Sequence, residues 1–352
     1  MNRLTAIVED TGLAEAAKSF SISVEGTDVE VSCNDSQTLL DCCIQSGISV
    51  PYNCRSGECG ECKVVRVSGT VREMPGADPA VFGDADRAAG KILLCMCTPL
   101  SDVVIDVPKT TDAPAIRPQT FNVMIARSEK VTPTTWRISV ETPGPVIFRA
   151  GQYFEWVLPG IAPNRVYSAA NAPGGDCIDF LVRIYADGKV GSHIQQNFSV
   201  GRTFSIVGPF GHFALSRNDW RPAVCIAGGT GLAPMLSVLS EAVANGDKRR
   251  FIFFFGARNR EELCCLDEIE KLSRQLPSFT FVPVLSHEAA GSDWRGERGM
   301  VTDVLARKIP DLFGLEAYLC GPPAMIDAAI EILDAAGVPP QDIRVDRFAP
   351  AK

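Results

Sequence analysis

Histidine is scarce in this sequence. Three occur in 352 residues, His193, His212 and His287, and they stand far apart. No histidine-rich constellation for activating oxygen or an organic substrate is present, so a metal centre of that kind is excluded from this chain. Long apolar runs are missing as well: none reaches the roughly 18 residues that a membrane-spanning helix requires. The first segment carries Glu9, Asp10 and Glu15 through its middle and lacks the apolar core of a signal peptide. Residues 1–17 therefore read as a short extension, helical over Leu13–Lys18, and the chain as cytoplasmic. Positive charge is in deficit, with 34 Lys and Arg against 42 Asp and Glu and a formal net charge of −8. Nucleic acid, which demands a basic face, is excluded as a partner. An acidic surface suits docking to a basic patch on another protein. There is no internal repeat and no low-complexity tract.

What is present suffices for folding. Hydrophobic residues make up 46% and charged residues 22%, the balance of a chain that buries several cores without covalent staples. Its length predicts two or three domains. The thirteen cysteines are an odd number, and several lie in apolar runs, such as Cys225 in AVCIAGG and Cys320 in AYLCG. Disulfide frameworks belong to short secreted chains. The expectation here is reduced thiols, one subset of which binds metal.

Composition divides the chain. Residues 18–108 hold most of the cysteines. The stretch 109–118, KTTDAPAIRP, has no apolar period and reads as a linker. Residues 119–216 offer short strands (FNVMIA, WRISVE, QYFEWVL, FLVRIY, FSIVGPF) punctuated by Gly and Pro, which predicts an antiparallel β-barrel. Residues 219–352 alternate continuous apolar strands (AVCIAGG, FIFFFGA, FTFVPVLS, AYLCGPP) with helical stretches at Ala233–Ala244, Glu261–Leu276, Met300–Arg307 and Ala324–Ala336. That alternation predicts an α/β parallel sheet covered on both faces.

The segment PYNCRSGECGECKV sets Cys54, Cys59 and Cys62 at the x4 and x2 spacings of a plant-type [2Fe–2S] site. Each tetrahedral iron takes two bridging sulfides and two protein thiolates, so four cysteines are needed. Gly57 and Gly60 let the backbone turn tightly and aim N–H groups at the sulfurs. A fourth ligand lies in ILLCMC, at Cys95 or Cys97, which face opposite ways if the segment is a strand. A structural zinc site shows two Cys-x2-Cys knuckles, whereas this segment has one. Cys33, Cys42 and Cys43 read as small buried apolar residues.

Two further constellations follow in order. Arg165, Val166, Tyr167 and Ser168 close one of the barrel strands. Arg165 is placed to neutralise a pyrophosphate, Tyr167 to stack on an isoalloxazine ring, and the Ser168 hydroxyl to reach the flavin N5. Gly188, Val190, Gly191 and Ser192 open a helix whose backbone N–H groups suit phosphate. Next, Gly228, Gly229, Thr230, Gly231, Leu232 and Ala233 join the strand AVCIA to a helix, the context in which backbone approaches a dinucleotide pyrophosphate. Cys320, Gly321 and Pro322 end another strand at the carboxyl edge of the sheet, where Cys320 reads either as a neighbour of the nicotinamide or as a buried strand-end cysteine. Arg258 and Arg260 stand next to Glu261 and Glu262, so the residues alone do not choose between NADH and NADPH.

With these motifs in this order, residues 20–350 resemble the reductase components of bacterial aromatic oxygenases. These join a plant-type β-grasp ferredoxin, an α+β fold, to a ferredoxin–NADP reductase-like pair of domains. The segments FFFGARNREELCCLDEIEKL, RGMVTDV, YLCGPPAMIDAA and VDRF look especially like the electron-transfer components of xylene and cymene monooxygenases. The resemblance implies Cys95 as the fourth ligand, from Leu93-Leu94-Cys95-Met96. It implies FAD on Arg165, Tyr167 and Ser168, with its phosphates near Gly191 and Ser192. It implies the nicotinamide dinucleotide on Gly229–Ala233, with Cys320 at the hydride site and NADH as the donor. It also implies a C-terminal acid and aromatic beside the flavin, matched by Asp346 and Phe348 where relatives often have Glu and Tyr or Trp.

The function expected is conversion of electron number. Two electrons enter as hydride and leave singly through the cluster, whose edge around Tyr52–Glu61 docks the acceptor. The acceptor is an oxygenase or hydroxylase component or an intermediary ferredoxin, and the final chemistry takes place on that other protein. A redox sensor using the same cofactors is the rival from another class.

Overall fold

The computed structural model describes residues 18–107, 116–185, 188–216, 219–308 and 314–348. The expected extension 1–17 and most of the linker 109–118 lie outside the described residues.

The first unit is built on a five-stranded sheet in the order Glu30–Asn34, Ser19–Val24, Val103–Asp106, Lys63–Ser68, Lys91–Leu93. The two strands furthest apart in sequence, Ser19–Val24 and Val103–Asp106, pair in parallel, and their neighbours pair antiparallel. The helix Leu39–Ser46 begins where the Thr38 hydroxyl accepts the Asp41 N–H at 3.0 Å and ends at Gly47, whose φ of 78° suits the left-handed cap. Leu39, Leu40 and Ile44 are buried in the core that this helix shares with the sheet. This is the β-grasp architecture.

The middle unit is a six-stranded antiparallel sheet, ordered Arg165–Ser168, Tyr153–Val157, Thr203–Phe210, Gln119–Lys130, Thr135–Glu141, Cys177–Arg183. A bridge between Ala169 and Phe180 joins its two ends and closes a barrel. Trp156 fills the interior, with Phe180 edge-on at 5.1 Å between ring centroids.

In the third unit six parallel strands run in the order Glu297–Arg298, Phe279–Leu285, Phe251–Ala257, Ala223–Gly228, Glu316–Gly321, Ile343–Arg347. Separate apolar cores lie on its two faces, so the strands are apolar throughout. Phe251, Phe253, Phe254 and Phe255 are all fully buried, and each such side chain stabilises the fold by roughly 1.5–3 kcal/mol. The strand order reverses between Ala223–Gly228 and Glu316–Gly321, and the crevice at such a switch point is where ligands bind.

Two sequence expectations are corrected. Cys33 and Cys42 are joined in a disulfide, with Cα atoms 5.6 Å apart, because the helix Leu39–Ser46 crosses the strand Glu30–Asn34 within bridging reach. Cys43 is buried and free, as are Cys225 and Cys320. The single helix expected over Glu261–Leu276 is instead a short 3-10 turn, Arg260–Glu262, and a helix, Leu266–Gln275. The break follows from packing. Cys264 turns into the core while Cys265 adopts a φ of 59° and meets the Arg137 guanidinium, Nη2 to Sγ 3.3 Å.

Candidate functional site

The cluster loop connects the helix Leu39–Ser46 to the strand Lys63–Ser68. Its four expected ligands meet as two pairs. Cys62 and Cys95 sulfurs lie 3.3 Å apart, and Cys54 shares a hydrogen bond with Cys59. Backbone N–H groups point at these sulfurs: Cys54 N to Cys59 Sγ at 3.5 Å and Ser56 N to Cys54 Sγ at 3.4 Å. The Cys59 thiol and the N–H groups of Ser56 and Glu58 hold Cys54 down at about 5, against the burial that would raise it. Cys62 is lowered in the same way by its partner Cys95.

Pairing two by two is the arrangement a binuclear cluster needs. Among the described residues no group of three or more His, Cys, Asp or Glu side chains converges on a single point. The loop can close this tightly because Gly57 and Gly60 have φ of 80° and 75°. A Cβ at Gly60 would stand 2.7 Å from Val81. Cys97 is buried, and desolvation pushes its thiol up to about 12.

A cleft of about 1250 Å³ runs from this loop between the barrel and the parallel sheet. Its wall includes Asn53 and Cys54 from the loop, Arg165, Val166, Tyr167 and Ser168 from the barrel, and Gly188, Val190 and Gly191 from the helix start. The third unit adds Gly228, Gly229, Thr230, Ala233, Arg258 and Pro322, and its last strand and following residues add Asp346 and Phe348. The Tyr167 ring lies 4.4 Å from Trp156, which holds it at the wall. At Gly191 a Cβ would strike Ile184 at 2.7 Å and the Tyr185 carbonyl at 3.0 Å, so backbone alone fits there. The residues present fit a flavin dinucleotide and a nicotinamide dinucleotide side by side.

Five expected site residues do not line the cleft: Gly231, Leu232, Cys320 and Gly321 are buried behind its wall, and Ser192 lies outside it. Ser192 is exposed on the helix Lys189–Asn197, and its N–H is taken by the Gly188 carbonyl at 3.2 Å. Leu232 is buried in the core. Gly231 packs so closely on Cys320 that a Cβ would stand 2.3 Å from the Cys320 carbonyl. Cys320 is fully buried, and burial pushes its thiol well above the ordinary range. Gly321 has a φ of 144° and accepts the Phe348 N–H at 2.8 Å, which sets Phe348 at the cleft.

Asp346 is the buried acid of the site. Its carboxyl accepts the Asn53 amide at 2.7 Å and the Ser168 hydroxyl at 3.4 Å. Desolvation raises it to about 7, with those two hydrogen bonds pulling the other way.

The loop Tyr52–Glu61 is not a free docking edge along its whole length. Tyr52 and Asn53 are buried, the Tyr153 hydroxyl donates to the Asn53 carbonyl at 2.7 Å, and Arg55 is pinned on Glu155 and Phe210. Its first half faces the barrel because polar partners there satisfy it. Sequence reasoning passed over Asn53, Tyr153, Arg183 and Met300, all of which line the cleft, whereas Glu262, considered for the dinucleotide, does line it. Only Arg183, which ends the strand segment FLVR with a charge, carries a local signal.

An iron–sulfur β-grasp, a flavin-type barrel and a nucleotide-type parallel sheet around one cleft define an NAD(P)H-oxidising iron–sulfur flavoprotein. Family models agree: a 2Fe-2S iron-sulfur cluster binding domain matches residues 22–100, an oxidoreductase FAD-binding domain 122–215, and an oxidoreductase NAD-binding domain 225–331. The chain belongs to the family of reductase components of monooxygenase systems. It is 34% identical to the reductase component DmpP of phenol 2-monooxygenase from Pseudomonas sp. (strain CF600), over 94% of each chain. It is 33% identical to the xylene/toluene monooxygenase electron transfer component XylA of Pseudomonas putida, over 96% of each. The crystal structure of the Amycolatopsis cytochrome P450 reductase GcoB superimposes with a TM-score of 0.84 at 30% identity, covering 95% of this chain and 100% of that one. The protein is thus an oxidoreductase with FAD, NAD and 2Fe-2S domains, and its family implies an oxygenase partner. Among the described residues no helix is long and apolar enough to cross a membrane.

Proposed function

We propose that this protein takes hydride from NADH and delivers electrons singly to the oxygenase component of an aromatic or hydrocarbon hydroxylating system. The observation that carries the reading is the continuity of the cleft: residues of flavin type, residues of nicotinamide type and the cluster ligand Cys54 line the same cavity. When bound, FAD accepts two electrons together and releases them one by one, and the [2Fe–2S] cluster accepts them one at a time. Cys54 and Cys59 would hold one iron, and Cys62 and Cys95 the other.

Arg165 neutralises the flavin pyrophosphate, and the backbone at Gly188–Gly191 approaches it. Tyr167 supports the ring, and Ser168 and Asp346 orient and hold a proton at its N5 edge. Phe348, on the cleft wall, would pack against the flavin ring. Gly228–Thr230 receive the nicotinamide dinucleotide, and Cys320 shapes the hydride site from beneath. NADH is favoured because Glu262 stands in the cleft, where an acid suits ribose hydroxyls, and Arg260 is committed to Glu288 and Asp293; Arg258, which also lines the cleft, is the residue that would suit a 2′-phosphate. We take the folding units as residues 18–108, 119–216 and 219–352. The need for NADH supports a cytoplasmic setting. The names of relatives that act on phenol and on xylene and toluene support an aromatic hydroxylase as acceptor.

The test is Cys59→Ser in the reconstituted holoenzyme. NADH-dependent cytochrome c reduction should vanish while NADH–ferricyanide activity persists through the flavin. Equal loss of both activities would show that flavin and cluster do not work in series.

A further inference from the structure

We propose that Asn53, in the iron–sulfur unit, is a positioning residue for hydride transfer at the flavin: its amide holds the Asp346 carboxyl in place beside Ser168. The inference rests on the reading of Asp346 and Ser168 as hydride-site groups.

Asn53 directly precedes the cluster ligand Cys54, yet its side chain serves neither the cluster nor its own unit's core. It is 4% exposed, and its Nδ2 donates to Asp346 Oδ1 at 2.7 Å and to the Val345 carbonyl at 3.3 Å, residues 293 and 292 positions away. Its own carbonyl accepts the Tyr153 hydroxyl of the barrel at 2.7 Å. All three units therefore meet on one residue. Among the described residues, the Asp346 carboxyl receives hydrogen bonds from Asn53 and Ser168 alone, and the Ser168 contact is the longer, at 3.4 Å.

The residue type suits the task. A neutral amide donates to a buried carboxyl without adding a charge to the cleft. Its Oδ1 is buried without a partner. The space for it exists because residue 211 is glycine, with a φ of 91°: a Cβ there would stand 2.9 Å from that oxygen. The acid at the flavin edge is therefore held correctly only while the iron–sulfur unit is docked.

The experiment compares Asn53→Ala, Asp346→Ala and the double variant as holoenzymes. Stopped-flow absorbance follows flavin reduction by NADH, a step upstream of the cluster. Visible circular dichroism and iron content report the cluster, and hydrogen exchange reports the strand Ile343–Arg347. With the cluster spectrum unchanged, Asn53→Ala should slow flavin reduction by about tenfold, the scale of one lost hydrogen bond to a charged group. KM for NADH should stay within about twofold. Exchange in Ile343–Arg347 should quicken, and the double variant should be no slower than Asp346→Ala alone. A wild-type rate in Asn53→Ala beside a slow Asp346→Ala overturns the role of Asn53 and leaves the acid's role standing. A wild-type rate in Asp346→Ala overturns both. If Asn53→Ala loses its cluster, Asn53→Asp, which keeps the shape but sets a second carboxyl against Asp346, decides the matter: slowing supports the proposal and a wild-type rate ends it.

Discussion

The Arg55 guanidinium, on the cluster loop, lies 4.3 Å from the centroid of the Phe210 ring on the barrel. The same group reaches Asp41 at 2.9 Å on its own unit and Glu155 across the interface. Arg55 follows Cys54 as Asn53 precedes it, so the first cluster ligand is fastened to the barrel from both sides. A stacked guanidinium contributes about 0.5–2 kcal/mol, and more where water is excluded. Arg55→Ala should leave NADH–ferricyanide activity within about twofold and lower cytochrome c reduction several-fold, because the cluster then sits less firmly against the flavin. The ratio of the two rates, taken on cluster-replete protein, is the measurement.

Glu316 opens its strand with its side chain almost wholly buried, among Arg344 at 3.0 Å, Arg221 at 3.2 Å and Arg249 at 3.4 Å. The Tyr318 hydroxyl donates to it at 2.8 Å. Arg249 is itself buried. Glu316→Ala should cost about 1–3 kcal/mol, from the Tyr318 hydroxyl and the Arg344 guanidinium losing this acceptor, while Arg249 keeps Asp247 and Arg221 keeps Asp219 and Asp342. Denaturant unfolding followed by circular dichroism would show it as a fall in midpoint.

Asp346 should give stability a distinctive pH dependence. An unfolded Asp releases its proton near 4, while burial raises the folded group to about 7. Between those values the folded state keeps a proton that the unfolded chain has lost. This residue's contribution to stability therefore declines as pH rises through that window and levels off above it. Asp346→Asn removes the decline, so its Tm relative to wild type should climb from pH 4 to 7 and then hold. A difference independent of pH would show that the carboxyl does not titrate in that window.

At Gly191 the helix start touches Ile184, just past the strand Cys177–Arg183, with no room for a methyl group. Gly191→Ala should push the helix start away from the cleft and weaken FAD retention. Protein purified without added flavin should then carry less of it, read from the ratio of absorbance at 450 nm to 280 nm, with the cluster's contribution subtracted.

Much of the architecture was legible locally. The strands around Phe251–Ala257 and Ala223–Gly228 are apolar on every residue because cores lie on both of their faces, and that is visible in a short window. The break between Arg260–Glu262 and Leu266–Gln275 was not legible. Helical spacing continues across it, and only the pull of the core on Cys264 and of Arg137 on Cys265 interrupts the backbone. The Cys33–Cys42 bridge escaped for the same kind of reason, since it depends on where a helix crosses a strand.

Spacing along the chain determined the cofactors, because three cysteines on one tight loop and a glycine turn between strand and helix are short-range geometry that a few consecutive residues enforce. The resemblance already named Asp346 as the acid at the flavin; that its carboxyl is buried there, and that an asparagine 293 positions away holds it, was decided only when the three units closed on one another. Hydrogen bonds between distant segments leave no periodic trace in the sequence, since each partner is an ordinary polar residue until folding removes water from both.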